Sequence, residues 1–230
     1  FYPKLRFQHS FTYSNEQYHY GDVSADSILY KQWFNISVRD SVDTFSVREK
    51  WAVMSNDFSL VQFPDTKNTS QFFLAGITMQ NITRTADAGQ NRFFNMQLHG
   101  EYRNRTRNKK WDMLLKGTFY PGGLNIGDYS AYASLGRYLN KQWGDVELFF
   151  KNVNRTPSFV FDPRSAYHFG NANDLKKENI ISFGATANNP YVQLRFTNYL
   201  INNYAYFENY YNTAQYSKPI NILQIGATTT

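Results

Sequence analysis

Residues 92–120, RFFNMQLHGEYRNRTRNKKWDMLLKGTFY, alternate between apolar and polar side chains on both sides of the polar turn 104–109. Successive side chains of a β-strand point to opposite faces of the sheet. The alternation therefore predicts a hairpin with one apolar face and one polar face. The apolar positions are Phe94, Met96, Leu98, Gly100 and Tyr102 in the first strand and Trp111, Met113, Leu115, Gly117 and Phe119 in the second.

A half-buried sheet in a soluble protein would show the same alternation, so the position of the aromatic residues matters. Phe94, Tyr102, Trp111 and Phe119 lie near the strand ends, with smaller apolar residues between them. Strands that cross a bilayer have this profile, with aromatic girdles at the two interfaces and a polar inner wall. The hairpin is thus typical of the wall of an outer-membrane β-barrel.

The composition agrees with this interpretation and excludes several other classes of protein. Aromatic residues make up 18% of the chain, and both strands and membrane interfaces favour aromatic side chains. The mean hydropathy is −0.58, and no run approaches about 18 consecutive apolar residues, which excludes a transmembrane helix. The absence of cysteine excludes disulfides, thiolate metal sites and a cysteine nucleophile.

The net charge of +6 comes from 24 Lys and Arg against 18 Asp and Glu. The charges are scattered, and no basic block is long enough to indicate a nucleic-acid partner. In a pore the excess would favour anions, and on outer loops it would attract acidic lipopolysaccharide. A mixed solvated surface is an equally good interpretation at this point.

The rest of the chain repeats the alternation and predicts about ten strands in a single barrel domain over residues 1–230. Both ends of the chain stop within strand patterns, which indicates part of a longer protein. Besides the two strands of 92–120, the predicted strands lie near 4–13, 44–54, 71–81, 129–139, 146–155, 181–186 and 192–197, and from 220 onward.

The strand predicted near 44–54 carries one irregularity. Glu49 interrupts its apolar side, whereas Arg48 and Lys50 lie on its polar side. The alternation alone offers no explanation for an acidic residue there. The apolar positions of this strand are Phe45, Val47, Trp51 and Val53.

The predicted connections alternate in length: long, short, medium, short, medium, short, long, short, medium. The longest are 21–43 and 156–178, and the connection at 83–91 is of medium length. Up-and-down barrels of the outer membrane have short turns at one end and longer loops at the other. A Greek-key sandwich has no reason to sort its connections in this way. The alternation therefore favours the barrel.

The pattern also predicts which side chains face water and which face lipid, because Arg or Lys at the midplane of the lipid face costs about 2–4 kcal/mol. The residues predicted to line the lumen are Arg6, Gln8, Arg48, Lys50, Gln97, His99, Glu101, Asp112, Lys116, Glu147, Lys151 and Arg195. The residues predicted to face lipid are Phe7, Phe11, Phe94, Leu98, Trp111, Met113, Leu115, Leu148, Phe150, Leu194 and Phe196.

No catalytic or metal-binding motif accompanies this pattern, so we expect no enzymatic activity and no cofactor. The chain has no Gly-x-Ser-x-Gly elbow, phosphate-binding glycine loop or His-Glu-x-x-His. Glu101 and Asp112 could face each other across the hairpin, where a structural pairing or a lumen charge network explains them better than catalysis. The four histidines, His9, His19, His99 and His168, are not spaced along the sequence as metal ligands are.

Several short motifs resemble the putative porin family of Bacteroidota outer membranes. They are NDFSL at 56–60, GDY at 127–129, PSF at 157–159 with YHF at 167–169, and LINNYAYF at 200–207. The likeness covers most of the chain, and the motifs mark strand ends rather than chemistry. Family members are longer, with a signal peptide and further strands. The resemblance implies an outer-membrane β-barrel and a passive channel, and it supplies no catalytic residues.

The sequence thus predicts an all-β, antiparallel, up-and-down transmembrane β-barrel in the bacterial outer membrane. Its expected function is a porin-type channel for passive diffusion of small hydrophilic solutes. Its expected partners are outer-membrane lipid, lipopolysaccharide and other outer-membrane proteins. Two alternatives stay open: a non-conducting barrel that serves as a scaffold or partner subunit of an outer-membrane complex, and a soluble glycan-binding β-sandwich.

Overall fold

The computed structural model describes residues 4–38, 44–65, 67–166 and 174–229, and its main feature is one ten-stranded β-sheet. A separate hairpin of two short strands, one α-helix and a 3₁₀-helix over Phe159–Phe161 lie in the connections. The sheet contains β1 (Leu5–Asp22), β2 (Phe45–Gln62), β3 (Gln71–Ala86), β4 (Gly89–Arg105), β5 (Trp111–Gly123), β6 (Tyr129–Asn140), β7 (Gly144–Arg155), β8 (Glu178–Asn188), β9 (Val192–Asn202) and β12 (Ile220–Thr229). The separate hairpin is β10 (Tyr204–Glu208) with β11 (Asn212–Tyr216), and the helix is α1 (Ser27–Phe34).

The strands pair in the order β1-β2-β3-β4-β5-β6-β7-β8-β9-β12, and every pairing is antiparallel. This order confirms the all-β class and the up-and-down arrangement. A β-sandwich would divide the strands between two packed sheets, whereas all ten long strands belong to one sheet. Within the described residues β1 pairs only with β2 and β12 only with β9, so the sheet is not closed.

The hairpin of β4 and β5 forms in the register that the alternation predicts. Glu101 lies opposite Lys116, and Tyr102 lies opposite Leu115. Opposing residues of an antiparallel pair share a face of the sheet, so the polar and apolar side chains separate completely at these positions. The same rule applies to each pair of neighbouring strands, so each face of the sheet continues from one strand to the next.

The connections differ in length between the two ends of the sheet. The longest connections, 23–44, 156–177 and 203–219, all lie at one end, which we call the long-connection end. The connections at the other end, the short-connection end, are 63–70, 106–110, 141–143 and 189–191. The predicted sorting is present, although the tight turn between β3 and β4 and the short connection 124–128 also lie at the long-connection end.

Strands β3 and β4 extend further toward the long-connection end than the sequence predicted. Only Asp87 and Ala88 separate β3 from β4, so the prediction of a medium-length connection over 83–91 is wrong. Ile82 and Arg84 continue β3 there and are buried. Another part of the chain buries these two side chains. This burial explains why β3 continues past the alternating apolar positions predicted near 71–81.

Helix α1 had no counterpart in the sequence prediction. The carboxylate of Asp26 accepts a hydrogen bond from the backbone N–H of Ile28 at 2.8 Å, which caps the first turn. The helix ends at Asn35, whose left-handed conformation is common after a last helical turn. In the described ranges, no helix has the length and apolar character needed to cross a membrane.

The hairpin of β10 and β11 was also not predicted, and it meets α1. Trp33 of α1 packs on Tyr210 in the turn between β10 and β11, with ring centroids 5.0 Å apart. The helix belongs to the connection after β1, and the hairpin belongs to the connection before β12. Connections from the two edges of the sheet are therefore in contact.

Substitution of Gly144 by alanine tests the tight turn between β6 and β7. Gly144 has a φ of 70°, and a Cβ there would lie 1.7 Å from the carbonyl oxygen of Asn188. Because that atom belongs to the backbone, β8 would have to shift. We expect Gly144→Ala to lower the free energy of unfolding by about 2 kcal/mol or more, measured by urea unfolding in detergent micelles.

Gly226→Ala in β12 is the matched control, because a Cβ there meets nothing within 4 Å. It should change the free energy of unfolding by less than about 0.5 kcal/mol. Equal effects of the two substitutions would contradict this account of the turn.

Candidate functional site

The side chains of the sheet divide between two faces. We call the face that carries His99 and Glu101 the inner face, because segment 156–166 packs over it, and the opposite face the outer face. Apart from Arg48 and Lys50, the residues predicted to line a lumen all lie on the inner face: Arg6, Gln8, Gln97, His99, Glu101, Asp112, Lys116, Glu147, Lys151 and Arg195.

The outer face exposes large apolar side chains. Phe7 is 80% exposed, Phe94 is 58% exposed and Leu148 is 58% exposed. A continuous exposed apolar surface of this kind normally marks a contact with a membrane or with another protein. The residues predicted to face lipid all lie on this face: Phe7, Phe11, Phe94, Leu98, Trp111, Met113, Leu115, Leu148, Phe150, Leu194 and Phe196.

The prediction that Arg48 and Lys50 share a face with the other charged residues is wrong. Glu49, between them, points to the inner face, and both cations lie on the outer face. The polarity of β2 inverts along its length, because Phe58 occupies the outer face nearer the short-connection end. At the long-connection end segment 156–166 covers the inner face, so apolar side chains such as Val47 are buried on that face, and Arg48 and Lys50 lie on the opposite one.

Ion pairs connect neighbouring strands along the inner face. Lys116 of β5 contacts Glu101 of β4 at 3.1 Å. Arg103 donates two hydrogen bonds to Asp112, at 2.8 and 3.3 Å. Glu101 and Asp112 therefore do not face each other, because Lys116 and Arg105 are their opposing residues. Each carboxylate has a cationic partner, which is a structural arrangement and not that of a catalytic carboxylate pair.

His99 belongs to a hydrogen-bonded cluster around Asp57. The Asp57 carboxylate contacts the imidazole Nε2 at 2.6 Å and accepts hydrogen bonds from the Ser59 and Thr78 hydroxyls, each at 2.6 Å. Gly76 leaves the space for the ring, because a Cβ there would lie 2.5 Å from His99. Ser59 donates to the carboxylate rather than to the imidazole, so the cluster lacks the order of a Ser-His-Asp triad.

No group of three or more His, Asp or Glu side chains could hold a metal ion in the part of the chain that the structure describes. Two cations of the inner face, Lys151 of β7 and Arg195 of β9, are exposed and form no ion pair with a described residue. Charged side chains without a counter-charge act on mobile ions nearby, within about 10 Å at ordinary ionic strength.

Segment 156–166, the first half of the connection between β7 and β8, crosses the inner face and packs on β2, β3 and β4. The ring of Phe159 contacts Trp51 at a centroid distance of 4.9 Å and Phe93 at 5.9 Å. The Arg84 guanidinium lies 5.2 Å from the same ring. Arg164 lies over Phe93 at 4.9 Å. The segment thus inserts an aromatic side chain between cationic and aromatic neighbours.

A buried ion pair lies beneath this contact. Glu49 is 4% exposed and Arg84 3% exposed, and their charged atoms are 3.0 Å apart. The indole N–H of Trp51 donates to the second oxygen of Glu49 at 2.7 Å. The backbone N–H of Ala166 donates to Glu49 at 3.3 Å. Glu49, the irregularity of the sequence pattern, is therefore the acceptor that ties segment 156–166 to β2.

The segment is also fixed at its start, next to β6. Asp128 accepts hydrogen bonds from the backbone N–H and the hydroxyl of Thr156, each at 2.9 Å, and contacts Lys177. Glu178, the first residue of β8, ties the connection 203–219 to the sheet, because its carboxylate accepts from the backbone N–H of Ala205 in β10 at 3.0 Å and from Arg155 of β7 at 2.9 Å. Both long connections are therefore tied to the end of the sheet.

Sequence reasoning missed these anchoring residues. Glu49 in an apolar strand side was one available signal, and the apolar run FVF at 159–161 within a predicted connection was another. Neither signal identifies a partner, because Glu49 and Ala166 are 117 residues apart. His168 and the motif at 167–169 lie outside the described residues.

An exposed apolar face and a charged inner face on one up-and-down sheet are the wall structure of outer-membrane β-barrels as a class. A family model described as "Putative porin" matches residues 1–230, and the chain belongs to that family. The match confirms the resemblance seen in the sequence motifs and points to a channel or structural protein rather than an enzyme. Searches of the curated proteins and of the solved structures gave no significant match.

Substitution of Glu49 by glutamine tests the buried ion pair. The change leaves the Arg84 guanidinium buried without its counter-charge, and such a loss costs about 3–5 kcal/mol. We expect the free energy of urea unfolding to fall by about 3 kcal/mol. Asp65→Asn is the control, because its partner Arg107 is 62% exposed and exposed ion pairs contribute little to stability. A similar loss in both variants would argue against the role assigned to Glu49.

The position of segment 156–166 should depend on pH through Asp162. Burial raises the pKa of the Asp162 carboxyl, but hydrogen bonds from the Arg164 side chain and backbone outweigh burial and hold the pKa below its usual range. A folded pKa below the unfolded one contributes stability above the unfolded value, about 4, and loses it as the pH falls through the folded value. We therefore expect the segment to loosen as the pH falls below about 4.

A spin label on Ser158→Cys would report this change, because the chain has no other cysteine. Label mobility should rise in acid, and the added substitution Asp162→Asn should weaken that pH dependence, with the remaining part coming from Glu49 and Asp128, which also hold the segment. The same pH profile with and without the carboxyl would contradict the assignment to Asp162.

Proposed function

We propose that the protein forms a channel of the bacterial outer membrane for the passive diffusion of small hydrophilic solutes. The observation that carries this proposal is the separation of the two faces of one sheet. Apolar side chains such as Phe94 and Leu148 are exposed on the outer face, where lipid would cover them. Charged side chains such as Lys116 and Lys151 are exposed on the inner face, where water would solvate them.

The inner face has the chemistry of a water-filled passage. Several of its carboxylates are paired with cations across neighbouring strands, as in the contacts of Lys116 with Glu101 and Arg103 with Asp112. Paired charges keep a wall hydrated without holding a permeating ion tightly. Lys151 and Arg195, which have no ion-pair partner among the described residues, would set the selectivity of the passage. Segment 156–166 would narrow it at the long-connection end.

Outer-membrane lipid and lipopolysaccharide are the partners that we propose for the outer face. Arg48 and Lys50 lie on this face at the long-connection end, beyond the apolar side chains. In outer-membrane barrels the longer loops are extracellular. The two cations would then lie at the level of the acidic groups of lipopolysaccharide, where opposite charges attract.

A scaffold or partner subunit of an outer-membrane complex is the second candidate. Segment 156–166 favours it, because the segment covers part of the inner face and is held by the buried pair of Glu49 and Arg84. A barrel blocked in this way would not conduct. Conductance distinguishes the two functions: steady ohmic current in planar bilayers supports the channel, and the absence of current with a co-purifying partner supports the scaffold.

Charge reversal on the two faces tests the channel more sharply. Lys151→Glu on the inner face should lower the permeability ratio of chloride to potassium by about twofold or more, because it places an acidic group in the path of ions. Lys50→Glu is the matched control on the outer face and should leave the reversal potential unchanged. The prediction fails if both variants shift the reversal potential equally or if neither shifts it.

A further inference from the structure

A cavity of about 580 Å³ lies on the inner face at the short-connection end, away from segment 156–166. Its two sides carry opposite charges. Gly136 of β6 lies between them and has no side chain, which leaves the floor open. The basic side consists of Arg103, Arg105, Lys109 and Lys110 of β4 and its turn, and the acidic side consists of Asp145 and Glu147 of β7.

The basic side keeps an excess of positive charge. Asp112 is the acidic neighbour of this side, and Arg103 already engages it at 2.8 Å. Arg105 lies 3.9 Å from the same carboxylate and is less well neutralised. Lys109 and Lys110 form no ion pair with a described residue and are exposed. An anionic group that entered the cavity would therefore be attracted to this side.

The acidic side keeps its negative charge. Asp145 accepts a hydrogen bond from the neutral amide of Asn188 at 3.0 Å, and Glu147 accepts one from the hydroxyl of Tyr132 at 3.3 Å. These donors orient the two carboxylates without compensating their charge. A cationic group in the cavity would therefore be attracted to this side.

The strand register gives the spacing between the two sides. Arg105, Asp112, Gly136 and Glu147 are opposing residues of β4, β5, β6 and β7 and form one row across the sheet. The guanidinium groups of Arg103 and Arg105 reach across to Asp112 on β5, at 2.8 and 3.9 Å. Neighbouring strands are about 4.8 Å apart, so this positive charge and the carboxylates of β7 are separated by about two strand spacings, or about 10 Å. An extended peptide spans about 3.3–3.6 Å per residue, so the two termini of a tripeptide match this separation.

We propose that this cavity binds short peptides with free termini. The terminal carboxylate would contact Arg105 and the turn lysines, and the terminal ammonium group would contact Asp145 and Glu147. A simple anion or cation would be attracted by one side and repelled by the other, whereas a zwitterion of this length is attracted by both. The inference deepens the proposed function, because it names the class of solute that the channel would admit.

Titration calorimetry of the full chain in detergent micelles tests the proposal with three probes: trialanine, N-acetyl-trialanine and trialanine amide. Trialanine should bind most tightly, and blocking either terminus should weaken binding about tenfold, because a hydrogen bond to a charged group is lost. Binding of N-acetyl-trialanine as tight as that of trialanine would show a site for anions only and would overturn the proposal. The absence of binding by all three probes would also overturn it.

Two variants should act on different ends of the peptide. Glu147→Gln, which keeps an acceptor for Tyr132, should weaken trialanine and trialanine amide about tenfold and leave N-acetyl-trialanine unchanged. Arg105→Gln should weaken trialanine and N-acetyl-trialanine and leave trialanine amide unchanged. The controls are Glu208→Gln in β10 and Lys50→Gln on the outer face, which should change none of the three affinities. Equal losses for all probes in one variant would overturn the assignment of the two sides.

The binding experiment needs no current, so its outcome is separate from that of the channel. If the protein conducts ions but does not distinguish the three probes, the peptide site is wrong and the channel stands. If the probes bind with the expected order but no current is found, the site stands and passive diffusion is wrong.

Discussion

Antiparallel pairing is the constraint on which the rest of the structure depends. Opposing residues share a face, so one alternation of side chains, once set in the hairpin of β4 and β5, continues across all ten strands. The two faces are not covered in the same way along the whole length of the strands. Where the inner face is open it is polar and the outer face is apolar. Where segment 156–166 covers the inner face, this polarity is reversed.

The pair of Glu49 and Arg84 shows how this reversal is maintained. A buried ion pair contributes little net stability compared with apolar side chains of the same volume, but removal of one partner is costly. The pair accepts a backbone hydrogen bond from Ala166 and provides a cation for the ring of Phe159. It therefore specifies where the segment lies more than it strengthens the sheet. Charges further along the inner face are exposed and remain available to solute.

The features that depend on neighbouring residues could be predicted from the sequence. The faces of β4 and β5, the sorting of the long connections and most of the inner-face charges follow from local alternation and turn composition. The cover over β2 could not be predicted, because segment 156–166 is remote in the chain and its two prolines, Pro157 and Pro163, indicate only a loop. Arg48 and Lys50 were placed on the wrong face for this reason. Helix α1 was missed although Asp26 and Asn35 are recognisable end signals, because eight residues give too little periodicity.

The contact between Trp33 and Tyr210 has a kinetic consequence. Every pairing in the main sheet joins strands that are consecutive in the chain, except that β9 and β12 are separated by the hairpin of β10 and β11, and no pairing closes a stretch longer than 23–44 or 156–177. Such hairpins form with a small loss of chain entropy. Trp33 and Tyr210 lie in connections at opposite edges of the sheet, so their native contact requires all the intervening strands to be in place. Their contact is therefore a marker of the last stage of assembly, and a fluorescence change specific to this tryptophan would report completion rather than nucleation.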